Sequence, residues 1–177
     1  DYLLLQLEIP LSTVSYALKR AKERGMITVL NPAPAAKLGK AALACCDWFT
    51  PNQTEAQFYT GIFPSDEESI RACAEKLSGM GVRNVLVTLG TEGSACVTGE
   101  TFYRTNAVPA KALDTTAAGD TYVGAFVTRL AEGADIETAM RFASTSSAIT
   151  VTRRGAQCAI PVRSETMAYA REKGIKV

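Results

Sequence analysis

A chain of 177 residues is long enough to bury one sizeable core, and 47% hydrophobic with 21% charged residues is ordinary for a globular protein. Nineteen basic residues against 18 acidic ones leave a net charge of +1, too little surplus to hold a polyanion, so nucleic-acid binding is disfavoured. The absence of histidine excludes Ser-His-Asp hydrolases, Cys-His proteases and histidine-ligated zinc enzymes, leaving acid–base work to Asp, Glu, Lys or Tyr.

In chain order, Leu3–Leu7 predicts a buried strand and Ser12–Gly25 a helix, with Ser12 as N-cap and Gly25 as its stop. Ile27–Leu30 predicts a short strand closed by the turn Asn31-Pro32-Ala33-Pro34. Asp47–Phe49 predicts another, ending in Thr50-Pro51-Asn52, with a helix from Gln53 to Tyr59. Ser65-Asp66-Glu67-Glu68 opens the next helix with acids where the dipole favours them, and it runs towards Gly79. Asn84–Leu89 reads as a buried strand, followed by Gly90-Thr91-Glu92-Gly93. Ser94–Val97 and Thr101–Tyr103 read as a hairpin about Thr98-Gly99-Glu100. A last strand, Val108–Leu113, precedes three helices near Gly119–Glu132, Ile136–Val151 and Ser164–Lys173.

This alternation predicts a single α/β domain over 1–177, with a mostly parallel sheet covered on both faces. No apolar run is long enough to span a bilayer, and the first residues hold no basic leader segment, so a cytoplasmic protein is expected. The chain enters a strand almost at once, which suggests that sequence precedes it. The five cysteines, Cys45, Cys46, Cys73, Cys96 and Cys158, show no CxxC spacing and argue against a disulfide framework or a zinc site.

The segment richest in chemistry is Asp114-Thr115-Thr116-Ala117-Ala118-Gly119-Asp120-Thr121. It leads into a helix with small residues where a backbone must approach a ligand. The first turn of such a helix offers unpaired N–H groups and a positive dipole end, both suited to an anion such as a transferring phosphoryl group. Asp120 beside that cradle could take a proton from an attacking hydroxyl, or could be an ordinary capping acid on a core helix. Asn52 and Glu55, at i and i+3, could reach one hydrated ion from a shared helix face, or could be an Asx turn with a surface glutamate.

Together these segments resemble the ribokinase/PfkB carbohydrate kinase family. Asp114–Asp120 is similar to its C-terminal signature. Gln6-Leu7-Glu8, Asn31-Pro32-Ala33-Pro34-Ala35, Thr50-Pro51-Asn52-Gln53-Thr54-Glu55, Thr88-Leu89-Gly90 and Val151-Thr152-Arg153-Arg154-Gly155-Ala156-Gln157 stand in the family's order. The resemblance implies a three-layer α-β-α fold lacking the family's N-terminal half and its β-sheet lid. It implies ATP-dependent phosphorylation of a sugar's primary hydroxyl, ribose to ribose 5-phosphate, with Asp120 as base and the Ala117–Gly119 backbone as anion hole. Glu8 would bind sugar hydroxyls, and its place after a parallel strand suits that role. Asn52 would help place the phosphates, and Glu55 would hold Mg²⁺ through water. Thr88, Leu89, Gly90, Thr91, Glu92 and Gly93 would lie along the nucleotide, although their glycines also suit any strand-to-hairpin turn. Ser144 would stand beside the adenine, or serve as a small helix-packing residue.

The resemblance further implies an activating K⁺ at Asp114, with carbonyls of Thr116, Thr150, Arg153 and Gly155. Cys158-Ala159 replaces a common Pro-Ser pair, so a hydroxyl that often completes that site is absent. Family members often dimerise through the lid. Missing that lid, the chain is expected to expose apolar surface or a sheet edge and to be inert towards ribose when alone. A non-catalytic nucleotide-binding remnant, or a kinase of the same family for another sugar or a nucleoside, are the other readings.

Overall fold

The computed structural model describes residues 1–177. It holds a six-stranded sheet in the order β1-β2-β3-β4-β5-β6, which is sequence order, and seven α-helices. The contacts divide the chain into two compact units. One comprises Asp1–Leu89 with Ala95–Tyr103, and the other Gly90–Ser94 with Arg104–Val177.

In the first unit, β1 (Tyr2–Leu5), β2 (Ile27–Leu30), β3 (Trp48–Phe49) and β4 (Asn84–Thr88) pair in parallel. Parallel neighbours need crossover connections, and α1 (Leu11–Glu23), α2 (Lys40–Leu43), α3 (Gln53–Thr60) and α4 (Glu67–Ser78) lie within them. Successive right-handed crossovers in one direction put their helices on one face of the sheet. Accordingly, Val14 and Leu18 of α1, Leu43 of α2 and Ile70, Ala74 and Leu77 of α4 share one apolar cluster with Leu30, Phe49, Val85 and Val87. The strand residues between them, Val29, Trp48 and Leu86, point the other way and are also buried. The helix signals are legible: Val14, Leu18 and Ala21, or Ile70, Ala74 and Leu77, repeat at i, i+4, i+7. β5 (Ser94–Thr98) and β6 (Thr101–Thr105) form the expected hairpin.

One buried carboxylate ties the N-terminal edge of these strands together. Asp47 precedes β3 and accepts both oxygens' worth of contact from Lys22 Nζ at the end of α1 (2.7 and 2.8 Å), and Arg83 lies 3.4 Å away. It also accepts the Thr28 N–H and hydroxyl at 3.0 and 3.1 Å. Its carbonyl accepts the backbone and side-chain N–H of Asn84. Burial alone would push the Asp47 carboxyl up, but the Lys22 and Thr28 hydrogen bonds outweigh it and hold the group below its ordinary value.

The second unit contains α5 (Ala118–Ala131), α6 (Ile136–Thr150) and α7 (Arg163–Glu172). α5 and α6 are joined by a turn through Gly133, and Asp135 caps α6 by accepting the Thr138 N–H at 2.8 Å. Small and hydroxylated residues let the helices approach. Thr150 donates to the Thr121 hydroxyl (3.1 Å), and Ser146 shares a hydrogen bond with Thr166 of α7 (3.2 Å).

Several expectations shift. β1 ends at Leu5, because the Leu7 N–H goes to the Ala33 carbonyl (2.9 Å) and not to a ladder. The N-cap of α1 is Pro10 and not Ser12, which lies inside the helix, while Gly25 does take the left-handed backbone that ends it. No strand forms over Val108–Leu113: Pro109 has no N–H to give, and Leu113 donates to the Val151 carbonyl (2.7 Å). Four cysteines are buried or half-buried, Cys158 is exposed, and none is bridged. Burial pushes the Cys46 and Cys96 thiols up to about 12, which suits packing and not chemistry. No helix is long and apolar enough to cross a membrane.

Replacing Asp47 by Asn should remove the charge that Lys22 answers, lowering unfolding stability by about 2 kcal/mol, since Lys22 retains some access to water. Urea titration checks this: the midpoint should fall while the slope stays constant.

Candidate functional site

In the first unit, the parallel register brings the C-terminal ends of β1–β4 to one edge, and the candidate residues follow those ends. Glu8 is exposed just beyond β1. Asn52 follows β3 and forms a lone parallel bridge with Thr88, whose N–H donates to the Pro51 carbonyl (3.0 Å). Asn52 and Glu55 form a capping box. The Asn52 side chain accepts the Glu55 N–H at 2.8 Å, and the Glu55 carboxylate accepts the Asn52 N–H at 2.8 Å. Glu55 is therefore no surface glutamate: it is buried, with one carboxylate oxygen committed to the backbone. Leu89, also buried, closes this set.

The second unit holds the rest. Gly90–Glu92 forms a single 3₁₀ turn with Thr91 and Glu92 exposed, and Glu92 pairs with Arg104 at 3.1 Å. Gly93 has φ +95°, and a side-chain carbon there would meet the Thr105 carbonyl oxygen at 2.0 Å and the Ala107 nitrogen at 2.6 Å. Only glycine lets this loop lie against the end of β6.

α5 begins abruptly. Ala117, at φ 60°, is the one non-glycine residue with positive φ, and it swings the chain into the helix with no side-chain cap. A left-handed alanine costs about 1–2 kcal/mol, so its surroundings must hold it. Three anchors do so. Asp114 accepts the Thr116 N–H at 2.9 Å and the Gly155 N–H at 3.0 Å, joining the loop to the turn after α6. Ser147 of α6 donates to the Ala118 carbonyl at 3.0 Å. The Leu113 and Asp114 N–H groups both donate to the Val151 carbonyl, at 2.7 and 3.2 Å, while Arg153 beyond it pairs with Glu165 of α7 at 2.7 Å. Hydrogen bonds from Thr116, side chain and backbone, together with that from Gly155, depress the Asp114 carboxyl to about 2.

The Ala118 N–H donates to the Thr115 carbonyl (3.2 Å), whereas those of Ala117 and Gly119 take no backbone acceptor. The cradle's donors are thus Ala117 and Gly119. Asp120 occupies the third helical position and is exposed, so it is not the capping residue of α5. It opens onto a cavity of about 280 Å³ that Gly124, Thr128 and Arg163 also line.

A second cavity, about 480 Å³, is bounded by Asn106, Val108, Pro109, Arg141, Ser144, Lys173 and Ile175. Ser144 forms its wall with a committed hydroxyl: it donates to the Asn106 carbonyl and accepts the Val108 N–H, both at 3.2 Å. Arg141 and Lys173 carry no motif and were not expected here. They converge from α6 and the segment after α7, which local pattern cannot reveal. No three acidic or cysteine side chains gather as a metal cluster, so a cation would lean on carbonyls, waters or phosphate oxygens.

Residues 2–163 match the family described as pfkB family carbohydrate kinase. The chain belongs to that family. Over 169 residues it is 43% identical to a ribokinase of Haemophilus influenzae, covering 96% of this chain and 55% of the relative. A deoxyribokinase of Salmonella typhi is 37% identical over 160 residues, covering 90% and 52%. An Arabidopsis thaliana ribokinase, solved in complex with ribose and ATP, superposes with a TM-score of 0.91 at 33% identity, covering 95% of this chain and 55% of that one. The pfkB-family chain therefore spans about half the length of the curated relatives it matches, and the α/β architecture with its mostly parallel sheet is theirs.

Acid should test the Asp114 anchor. A carboxyl with a depressed folded-state value stabilises fully above its ordinary value and loses that contribution as pH falls towards about 2. Amide protection at Thr116 and Gly155, relative to the unfolded-chain exchange rate at each pH, should fall between about pH 4 and 2, and Asp114→Asn should lack that acid step. Separately, Ala117→Gly should relieve the left-handed backbone and raise unfolding stability by about 1 kcal/mol, read by chemical denaturation.

Proposed function

We propose that the protein transfers the γ-phosphoryl group of ATP to the primary hydroxyl of a pentose, with ribose giving ribose 5-phosphate. The observation that carries this reading is the start of α5, where open backbone N–H groups and an exposed carboxylate stand within one helical turn. Phosphoryl transfer asks for little else from a protein: charge stabilisation on the transferred group and a positioned acceptor hydroxyl. In this reading Asp120 takes the hydroxyl proton as the sugar oxygen attacks. The Ala117 and Gly119 N–H groups, at the positive end of the α5 dipole, stabilise the phosphoryl oxygens.

The 480 Å³ cavity suits the adenine ring: Val108, Pro109 and Ile175 offer apolar faces, and Ser144 shapes one wall without spending a hydroxyl on the base. Gly90, Thr91, Glu92 and Gly93 would run along the phosphates, with Thr88 and Leu89 leading into them. Asn52 and Glu55 would order Mg²⁺ through water, and Glu8 would bind sugar hydroxyls. A cation held there would supply charge neutralisation for the ATP phosphates.

K⁺ would use the Asp114 carboxylate with the carbonyls of Thr116, Thr150, Arg153 and Gly155. These all-oxygen donors fit a hard cation, and the Asp114–Gly155 bond already draws two of those residues together. With Ala159 buried and lacking a hydroxyl, that site would have one donor fewer. The deoxyribokinase relative makes the sugar's 2-position the open point of specificity, and ATP binding without turnover would favour the remnant reading.

In a coupled ADP-release assay of the full-length protein, Asp120→Asn should lower kcat by about two to four orders of magnitude while leaving ATP affinity within a few-fold. Near-normal turnover in that variant would rule out the base. A panel of ribose, deoxyribose, fructose and adenosine, each with and without K⁺, decides substrate and activator together.

A further inference from the structure

The loop Gly90–Gly93 and the helix that carries Asp120 are joined by a contact that no sequence motif marks. Ser94 follows the loop immediately, and its hydroxyl lies 2.6 Å from the hydroxyl of Tyr122, two residues beyond Asp120. Both residues are buried, Ser94 at 0% and Tyr122 at 5% exposure. On a helix, two residues turn about 200°, so Asp120 can face outward while Tyr122 points inward at the loop. The other side of the loop is equally constrained: Gly93 lies against Thr105–Ala107, and Glu92 holds Arg104. Thr105, Asn106 and Ala107 in turn line the 480 Å³ cavity. A buried hydroxyl pair of this kind is costly to half-remove, because a hydrogen bond in a dry site is lost with no water to replace it.

We infer that Ser94 and Tyr122 are positioning residues that hold the loop Gly90–Gly93 in register with the first turn of α5, and so set nucleotide phosphates against the base. This deepens the kinase reading and rests on it. Neither hydroxyl touches substrate; they act through the loop on one side and the helix on the other. The pair therefore belongs to the nucleotide side of the reaction, and its loss should leave sugar recognition alone.

The test uses Tyr122→Phe, which keeps the ring in the core, Ser94→Ala, and the double variant, in the purified full-length protein. In steady-state kinetics at a temperature well below unfolding, each single variant should raise KM for ATP about three- to tenfold, the range expected for one buried hydrogen bond. KM for the sugar should stay within twofold, and the double variant should be no worse than the worse single one, as for two halves of one contact. A variant that merely loosened the fold would lower the melting temperature without that split between substrates. Amide exchange gives a second measurement independent of turnover: Gly90–Ser94 should exchange faster in either variant, by a similar factor. An unchanged KM for ATP in an active enzyme, or unchanged exchange over 90–94, overturns the inference. Should the unmodified protein phosphorylate no sugar, the kinase reading falls, while the exchange result still decides whether the pair holds the loop.

Discussion

Two parallel strands cannot be joined by a tight turn, and much of the first unit follows from that constraint. Each passage from β1 to β4 must leave the sheet, cross it in a helix and return to start the next strand at the same edge. All four strands therefore finish at one edge, where their backbones stop pairing and polar groups emerge. Glu8, Asn52 and Thr88 stand there for that reason, and a fold of this kind collects its binding residues without any of them being near in sequence.

The second unit is built round an uncapped helix start. A side-chain cap would occupy the first N–H groups of α5, and it has none. Its entry is instead forced by Ala117 in a left-handed conformation and secured from outside by Asp114, Ser147 and the turn at Gly155. The same economy governs Asn52 and Glu55. Their reciprocal capping box fixes both side chains, so folding has already met much of the entropic cost of ordering them.

Legibility followed the length scale of the signal. Helices such as α4 and α6 were visible because their apolar residues repeat over several turns, and β4 because Asn84–Thr88 is a β-branched run between breakers. The short helix Lys40–Leu43 was missed, since four residues hold barely one turn and show no period. Val108–Leu113 has the apolar composition of a strand, but Pro109 cannot donate to a ladder and no pairing forms there. At the site, the resemblance to carbohydrate kinases named Asp120, Asn52, Glu55 and the loop. It did not show that Asn-x-x-Glu is also a capping box, that Asp120 sits at the third helical position, or that Ser144 has both bonding roles taken. Ser94–Tyr122 and the Arg141–Lys173 wall are contacts between distant segments, and nothing local in the chain records them.

Asp47 lies at the opposite end of the strands from Glu8, Asn52 and Thr88, with Lys22, Thr28 and Asn84 gathered about it. The first unit thus keeps its polar anchor and its candidate residues at opposite ends of the strand axis. Substitutions can drift, or be selected for heat resistance, around Asp47 without touching the residues at the far edge. The far edge, in turn, can be remodelled for a new ligand by an experimenter or by evolution while this polar knot keeps the strands in register.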